Sequence, residues 1–380
     1  MTSAKQGVYL DYNATAKVRP EAAAAVLSAL ELCGNPSSVH AAGRAARAVV
    51  ESARADVAAL AGAAPAAVTF VSGGAEANAT AMESAVTSGV SRLIIGATEH
   101  DTVRETALAC GVPTAVWPVD GDGVADLAWL ERELAAGEGR TLVCLMLANN
   151  ETGVIQPVAE AARLTRASGG WLHVDAVQGA GKVAVDIEAL GADTLTLSAH
   201  KIGGPQGIGA LVAGPRALVV RRLHGGGQER GRRAGTENTP GIAGFGAVAR
   251  ATLAGLQQLA ADRAGRDAFE TTVVAAGARV LGAKAPRLPQ TSCIATPGYA
   301  ADLQVISLDL AGIEVSAGAA CSSGKVKASP VVAAMGRSDL APFSIRVSGG
   351  WATTPADWAR CAEAWVSLYE RRTARRLEIA

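Results

Sequence analysis

The chain has 380 residues, of which 49% are hydrophobic and 18% charged, and this composition predicts a soluble globular protein with one large and one smaller domain. Its 35 basic and 35 acidic residues balance, no long run of like charge occurs, and only 4% of the residues are aromatic. These features argue against nucleic acid or a membrane surface as the main partner.

No stretch approaches the twenty apolar residues that a membrane-spanning helix needs, and the N-terminus lacks a charged leader followed by an apolar segment. The six cysteines are scattered without CxxC spacing, which indicates reduced thiols and neither a disulfide framework nor a zinc site. We therefore expect a cytoplasmic protein without a membrane partner, and we predict no set of metal ligands.

Helices and strands alternate along the first two thirds of the chain. After helices predicted at 20–32 and 39–60, strands are predicted at 68–71, 93–95, 114–119, 141–147, 171–176, 194–197 and 208–212. The alternation predicts an α/β fold with a mostly parallel sheet and helices on both faces. Ligands of such sheets bind beyond the carboxyl ends of the strands.

The pattern changes after about residue 248, where a long helical segment (248–282) is followed by short strands and helices. This order predicts a second, α+β domain. We predict a large domain at 16–255 and a small domain formed by 1–15 and 256–380.

Lys201 follows the strand at 194–197 and precedes glycines and a proline, with Ser198 and His200 beside it. A lysine at the end of a strand can be partly desolvated, and a Schiff-base lysine must be so to act as a nucleophile. Taken alone, a lysine is more often a solvated surface residue.

Three other strand ends also carry polar groups. The sequence SGG before the helix near residue 76 offers backbone N–H groups and a helix N-terminus to a phosphate. His100 follows another strand and is suited to stack on a ring or to move protons, although a structural histidine is equally compatible. Asp175, with Gln178 three residues later, needs a cationic partner if it is buried. Together with Lys201, these groups match what pyridoxal phosphate requires from a protein.

Ten motifs extend this pattern along nearly the whole chain. They are YLDYNAT, GNPSSVH, SGGAEAN, TEHDTV, ANNETG, HVDAVQG, SAHKIGGPQGIGAL, HGGGQERGRRAGTEN, AACSSGKV and SIRVSGG. In order and spacing they closely resemble the motifs of the cysteine desulfurases, the NifS/IscS-like branch of the class V aminotransferases. The resemblance implies the type I fold of the pyridoxal-phosphate enzymes, with a large sheet of the seven-stranded type, and a homodimer.

The resemblance also implies roles for the cofactor-binding residues. Lys201 would be the Schiff-base lysine, and His100 would stack on the cofactor ring and carry protons. Asp175 would contact the pyridine nitrogen and Gln178 the ring hydroxyl. The phosphate would be bound at Gly74, Ala75, Ser198 and His200, and by Thr236 of the other subunit.

The resemblance places the substrate at a second group of residues. Asn150 and Arg346 would bind its carboxylate, because the guanidinium fork of an arginine matches a carboxylate. Asn13 would line the same pocket.

Cys321 lies in SAGAACSSGKVKAS, a stretch of small residues, and the resemblance makes it the thiol that accepts the substrate sulfur. Lys325 and Lys327 would favour its thiolate, although solvent screens them. From composition alone, a small residue buried under a loop is equally compatible. The resemblance also allows Cys321 to share an iron–sulfur cluster transiently.

Two positions depart from the motifs of the family. Ala75 stands where a threonine normally binds the phosphate, and Trp351 stands where an arginine usually follows the SGG of the carboxylate motif. The loss of one hydroxyl contact to the phosphate would weaken cofactor binding by roughly 1.5–3 kcal/mol if nothing replaces it.

The sequence therefore predicts a pyridoxal-phosphate cysteine desulfurase that converts L-cysteine to L-alanine and leaves a persulfide on Cys321. The sulfur would pass to an iron–sulfur scaffold or another acceptor, such as one for nitrogenase maturation or tRNA thiolation. Three alternatives stay open: a selenocysteine lyase, another class V β-lyase or aminotransferase, and a non-catalytic, cofactor-free relative that binds partners. Ala75 is the only support for the last of these.

Overall fold

The computed structural model of the protein describes residues 7–255, 259–318 and 328–379, and their side chains except at 259–261 and 375–379. The helices are α1 (Pro20–Leu30), α2 (Ala41–Leu60), α3 (Gly74–Thr87), α4 (Asp101–Ala109), α5 (Leu127–Ala136), α6 (Val158–Ala167), α7 (Thr239–Gly255), α8 (Leu259–Ala275), α9 (Ala301–Leu310), α10 (Pro330–Ala334) and α11 (Pro355–Ile379). The strands are β1 (Val8–Tyr9), β2 (Val68–Val71), β3 (Val90–Gly96), β4 (Thr114–Trp117), β5 (Arg140–Met146), β6 (Trp171–Asp175), β7 (Thr194–Ser198), β8 (Gly209–Ala213), β9 (Arg279–Val280), β10 (Thr291–Ala295), β11 (Ile313–Glu314), β12 (Ser316–Ala317) and β13 (Ser344–Ser348).

The large sheet has seven strands in the order β2–β8–β7–β6–β5–β3–β4. Strand β8 runs antiparallel to both of its neighbours, and the other adjacent pairs are parallel. Every residue of β2, β7 and β8 is buried, as expected for strands covered by helices on both faces. The predicted α/β fold with a mostly parallel, seven-stranded sheet is confirmed.

Side-chain caps set helix boundaries within a residue or two of those predicted. Helix α2 begins at Ala41 and not at residue 39, because His40 precedes it in an extended conformation and its Nδ1 accepts a hydrogen bond from the backbone N–H of Gly43 at 3.3 Å. Asp126 caps α5 in the same way, accepting from the N–H of Trp129 at 3.0 Å.

A second sheet lies in the C-terminal part of the chain, in the order β12–β13–β10–β9, with antiparallel pairing throughout. The N-terminal strand β1 pairs with β11, so the two ends of the chain share one unit. This unit has its own apolar core, which includes Leu10, Phe269, Trp358 and Trp365. The predicted division into 16–255 and 1–15 plus 256–380 stays a prediction, and the separate core is the observation that favours it.

The long helix predicted at 248–282 is wrong in its extent. Helix α7 begins earlier, at Thr239, and ends at Gly255, while α8 ends at Ala275 and is followed by β9. Gly277, with φ of +112°, stops the second helix, because a left-handed backbone does not continue an α-helix. The alanine-rich composition of the segment obscured these limits in the sequence.

Within the part of the chain that the structure describes, no helix combines the length and the apolar character that crossing a membrane requires.

Candidate active site

A cavity of about 620 Å³ opens at the carboxyl ends of the parallel strands. The register brings these ends to one edge, because Met146 pairs with Asp175, and Asp175 pairs with Thr196. Of the predicted site residues that the structure describes, all except Thr236 line the cavity. These lining residues are Asn13, Gly74, Ala75, His100, Asn150, Asp175, Gln178, Ser198, His200, Lys201 and Arg346.

Lys201 projects into the cavity from a short 3₁₀ turn, Ala199–Lys201, that directly follows β7. Its Nζ donates hydrogen bonds to the backbone carbonyls of Asn13 at 2.7 Å and Ala14 at 2.9 Å. The chain then turns back through Gly203, whose φ of +92° is unfavourable for any residue with a Cβ. The position of the lysine is thus fixed by the end of a buried strand and a glycine turn.

Asp175 ends β6 and is only 7% exposed. Its Oδ2 accepts from Nδ2 of Asn78 at 2.8 Å, and its Oδ1 accepts from the backbone N–H of Val177 at 3.0 Å. Behind it lies Glu99, and burial together with the Asp175 charge raises the pKa of the Glu99 carboxyl to about 8. The Glu99 carboxyl is therefore protonated at neutral pH, and the Asp175 carboxylate faces the cavity without a second anion beside it.

His100 lines the cavity as the N-cap of α4. Its Nδ1 accepts from the backbone N–H of Thr102 at 3.2 Å and lies 3.1 Å from the Thr102 hydroxyl. These contacts leave Nε2 as the ring nitrogen that can exchange a proton with a ligand in the cavity.

The part of the cavity next to the start of α3 suits a phosphate. Helix α3 begins at Gly74, so its N-terminal N–H groups and dipole face the cavity next to Ser198 and His200. His200 is held through its Nδ1, 3.2 Å from the Thr15 hydroxyl. Burial, with the charges of Lys201 and Lys182, lowers its pKa to about 4, so it is a neutral hydrogen-bond donor at pH 7. Ala75 contributes no hydroxyl.

Arg346 is almost fully buried on β13, and its guanidinium reaches the cavity. One Nη donates to Asp11 Oδ1 at 2.6 Å, and the other donates to the carbonyl of Asn150 at 3.1 Å. Its Nε has no hydrogen-bond partner among the residues that the structure describes. The arrangement orients a guanidinium and keeps donors available for a carboxylate.

Lys182, which sequence reasoning missed, is buried beside the predicted site. Its Nζ donates to Gln178 Oε1 at 2.6 Å and to Asn13 Oδ1 at 3.3 Å. Burial, assisted by the charges of Lys201 and Arg346, lowers the pKa of Lys182 well below its usual value. The contact fixes the Gln178 amide so that its Nε2 donates to the Asn13 carbonyl at 2.9 Å. The spacing of four residues between Gln178 and Lys182 was the only available signal.

Three further residues were also missed: Asp11, Asn78 and His173. Asp11 and Asn78 lie inside motifs that identify the family, and His173 lies two residues before Asp175. Nothing in their spacing shows that Asp11 pairs with Arg346, or that Asn78 contacts both Asp175 and His173. These pairings join segments that are distant along the chain.

Two predicted residues are not among the described lining of the cavity. Thr236 is exposed and does not line the cavity of its own subunit. Cys321 lies in the range 319–327, outside the described residues, as do Lys325 and Lys327. Gly318, the last described residue before that range, does line the cavity. Among the described residues, no group of three or more His, Cys, Asp and Glu side chains is arranged to hold a metal ion.

The donor set fits pyridoxal phosphate. A carboxylate at the end of one strand can meet a ring nitrogen, and a helix N-terminus with Ser198 and His200 can meet a phosphate. Lys201 reaches the same cavity, and a histidine lies on its wall. The cavity volume lies within the range of about 300–1,000 Å³ that is usual for small-molecule and cofactor sites.

Comparison with known proteins agrees with this chemistry. The family model "Aminotransferase class-V" matches residues 8–358. A cysteine desulfurase from Cereibacter sphaeroides is 42% identical over 372 residues, with 94% of each chain covered. The cysteine desulfurase IscS of Dictyoglomus turgidum is 36% identical, with 93% of this chain and 92% of that protein covered.

A solved structure shares the architecture. The NifS-like protein from Rickettsia africae superposes with a TM-score of 0.88 at 32% sequence identity, covering 96% of this chain and 99% of that one. Fold, cavity chemistry and near full-length similarity therefore agree: the chain belongs to the class V aminotransferases, which are pyridoxal-phosphate enzymes, and within them to the cysteine desulfurases.

Proposed function

We propose that this enzyme converts L-cysteine to L-alanine and collects the sulfur as a persulfide on Cys321. The observation that carries the proposal is the cavity in which Lys201, Asp175 and Arg346 converge. When bound there, pyridoxal phosphate supplies an electron sink for the bonds broken at the substrate.

The roles of the residues follow from their positions. Arg346 binds the substrate carboxylate with its fork, oriented by Asp11 and the Asn150 carbonyl. The Lys201 amine removes the proton from the substrate α-carbon, and the His100 imidazole carries protons between the substrate thiol and its surroundings. Asn13 and Gln178, which are joined through Lys182, line the same cavity.

The sulfur transfer balances without an external oxidant. The Cys321 thiolate attacks the substrate sulfur, so one S–S bond forms and the Cβ–S bond breaks. The electron pair of that bond stays with the carbon, which takes up a proton and becomes the methyl group of alanine. Gly318 supports this role for Cys321, because it lines the cavity and lies three residues before Cys321 in the sequence.

A homodimer accounts for Thr236. Its motif implies a phosphate contact, yet the residue is exposed and lies outside the cavity of its own subunit. We propose that it reaches the phosphate in the partner subunit, and that the persulfide is passed to an iron–sulfur scaffold or another acceptor protein in the cytoplasm.

Replacement of Cys321 separates this function from other class V activities. The Cys321→Ala enzyme should keep the visible absorption of the bound cofactor and form no alanine from cysteine. A selenocysteine lyase or β-lyase would not depend on Cys321 for any turnover of cysteine, so turnover at the normal rate in the variant would show that the proposed nucleophile is wrong.

Replacement of Lys201 tests the cofactor attachment. Borohydride should fix pyridoxal phosphate covalently to the wild-type protein and not to Lys201→Ala. Covalent fixation at an unchanged level in the variant would exclude Lys201 as the attachment site. The absence of visible absorption in the wild-type protein would instead favour a cofactor-free relative.

A further inference from the structure

The amide of Asn78 on α3 lies in the wall of the cavity, at the centre of a hydrogen-bonded network. The residue is 1% exposed. Its Nδ2 donates one proton to Asp175 Oδ2 at 2.8 Å and the other to the Thr102 hydroxyl at 2.9 Å. Thr102 in turn contacts His100 Nδ1 at 3.1 Å. One amide thus joins the carboxylate and the histidine of the cofactor site.

This orientation of the Asn78 amide depends on its other end. If the amide were rotated by half a turn, Oδ1 would lie against the Asp175 carboxylate, where two acceptors repel. The observed orientation therefore needs a donor at Oδ1, and Nε2 of His173 lies 3.0 Å from it. His173 must carry its proton on Nε2 to serve as this donor.

The Thr194 hydroxyl satisfies the other nitrogen of this tautomer. Its hydroxyl lies 2.8 Å from Nδ1 of His173, and a proton on Nε2 makes Nδ1 an acceptor. His173 is fully buried, and burial lowers its pKa to about 4 although the Asp175 charge opposes the shift. At neutral pH the imidazole therefore has a single N–H, and the Asn78 oxygen, which can only accept, requires it on Nε2.

We propose that His173 is a positioning residue that acts through Asn78 to aim the Asp175 carboxylate at the ring nitrogen of the cofactor. The chain of donors runs from the Thr194 hydroxyl to His173, from His173 to Asn78, and from Asn78 to Asp175. We call these four residues the Asn78 network. The inference rests on the proposed function, because it takes Asp175 as the partner of the ring nitrogen.

The test compares two forms of the cofactor. One is pyridoxal phosphate, and the other is an analogue in which a carbon replaces the ring nitrogen. Only pyridoxal phosphate offers Asp175 a ring nitrogen to contact. The dissociation constants of both are measured by absorption titration of the apoprotein, for the wild type and for His173→Phe, which removes the N–H while a ring still fills the site.

If His173 acts through Asp175, His173→Phe weakens binding of pyridoxal phosphate by about tenfold or more and leaves binding of the analogue nearly unchanged. The matched control is His173→Gln, whose amide N–H can reach the position of Nε2, and it should retain most of the affinity. Equal weakening of both ligands, or no weakening of either, would overturn the proposal.

A second variant protects the test against misfolding of His173→Phe. Thr194→Val keeps the shape of the side chain and removes the hydroxyl that donates to Nδ1 of His173, so the N–H of that ring is no longer held on Nε2 by a satisfied partner. This variant should weaken the binding of pyridoxal phosphate by about fivefold, again with little effect on the binding of the analogue. A preference for pyridoxal phosphate over the analogue that is as large in Thr194→Val as in the wild type would contradict the network.

Asp175→Asn distinguishes failure of the network from failure of the proposed function. This variant should abolish the preference of the protein for pyridoxal phosphate over the analogue. If the wild type shows no such preference, the assignment of Asp175 is wrong and the network falls with it. If Asp175→Asn abolishes the preference while the His173 and Thr194 variants keep it, only the network is wrong.

Discussion

The two sides of the active-site cavity are built differently. The cofactor wall is formed by Asp175 at the end of β6 and Asn78 on α3, with His173 buried behind them, and each of these side chains has hydrogen-bond partners on the protein. The carboxylate wall is formed by Arg346, whose ion pair with Asp11 joins β13 to the N-terminal segment and whose Nε has no hydrogen-bond partner in the described structure. We infer that the first wall suits a resident cofactor, and the second suits a ligand that enters and leaves at every turnover.

The largest expected effect is on the carboxylate wall. Arg346→Ala should lower kcat/KM for L-cysteine by about 10²–10³-fold, because it removes a buried charged donor of the substrate carboxylate and leaves Asp11 unpaired. The dissociation constant of pyridoxal phosphate should hardly change. Steady-state kinetics and cofactor titration check both values.

Arg346→Lys is the matched control for this prediction. It keeps the charge but loses the fork, so its kcat/KM should fall between those of the wild type and Arg346→Ala. The contrast between the walls would be wrong if either variant lost cofactor affinity as strongly as catalytic efficiency.

The second effect is on stability and comes from the protonation of His173. His173 has a pKa of about 4 in the folded protein, whereas an unfolded histidine titrates near 6.5. As the pH falls through this window the unfolded chain binds the proton first, so the free energy of unfolding decreases. His173→Gln lacks the titrating group and should not show this decrease.

Chemical denaturation of both apoproteins between pH 7 and 4 measures the effect. The wild type should lose up to about 3 kcal/mol of stability relative to His173→Gln over this range. His200 and Glu99, whose pKa values are also shifted, are common to both proteins and cancel in the difference. A constant difference across the range would show that His173 is not a neutral buried residue.

The third effect lies at the phosphate end of the cofactor wall. Ala75→Thr should tighten binding of pyridoxal phosphate by about tenfold, because it restores a hydroxyl donor to a charged group at the N-terminus of α3. Ala75→Val supplies the same shape without the hydroxyl and should not tighten binding. Equal affinities in the two variants would mean that the hydroxyl makes no phosphate contact here.

The smallest effect is expected at Trp351. Its Nε1 donates to the Lys17 carbonyl at 2.8 Å, the Arg19 guanidinium lies 5.1 Å from its ring centre, and it lines a second cavity of about 410 Å³. It does not line the cavity that contains Arg346. Trp351→Phe should therefore cost about 1 kcal/mol of stability and leave KM for L-cysteine unchanged, which thermal unfolding and kinetics would show. A raised KM would extend the carboxylate wall to this residue.

Much of the fold could be predicted because the signals are local. Strands such as β2 were predicted with their observed limits, since short apolar runs between turns have few alternative conformations. The start of α7 at Thr239 and the end of α8 at Ala275 could not be predicted, because the sequence of this region is alanine-rich and tertiary packing decides where each helix begins and ends. The strand ends, and with them Lys201, Asp175 and His100, followed from the topology of a parallel sheet.

By itself, the sequence determined the family and predicted which residues would carry the chemistry, because a lysine, a carboxylate and a glycine turn at successive strand ends can be recognised one segment at a time. Only the tertiary structure decided how those residues are held. Lys182 orients Gln178, Asp11 orients Arg346, and His173 reaches Asp175 through Asn78, which lies 95 residues away from His173 in the chain. Hydrogen bonds depend on distances of about 3 Å in space, and sequence separation carries no information about them until the strands and helices have packed.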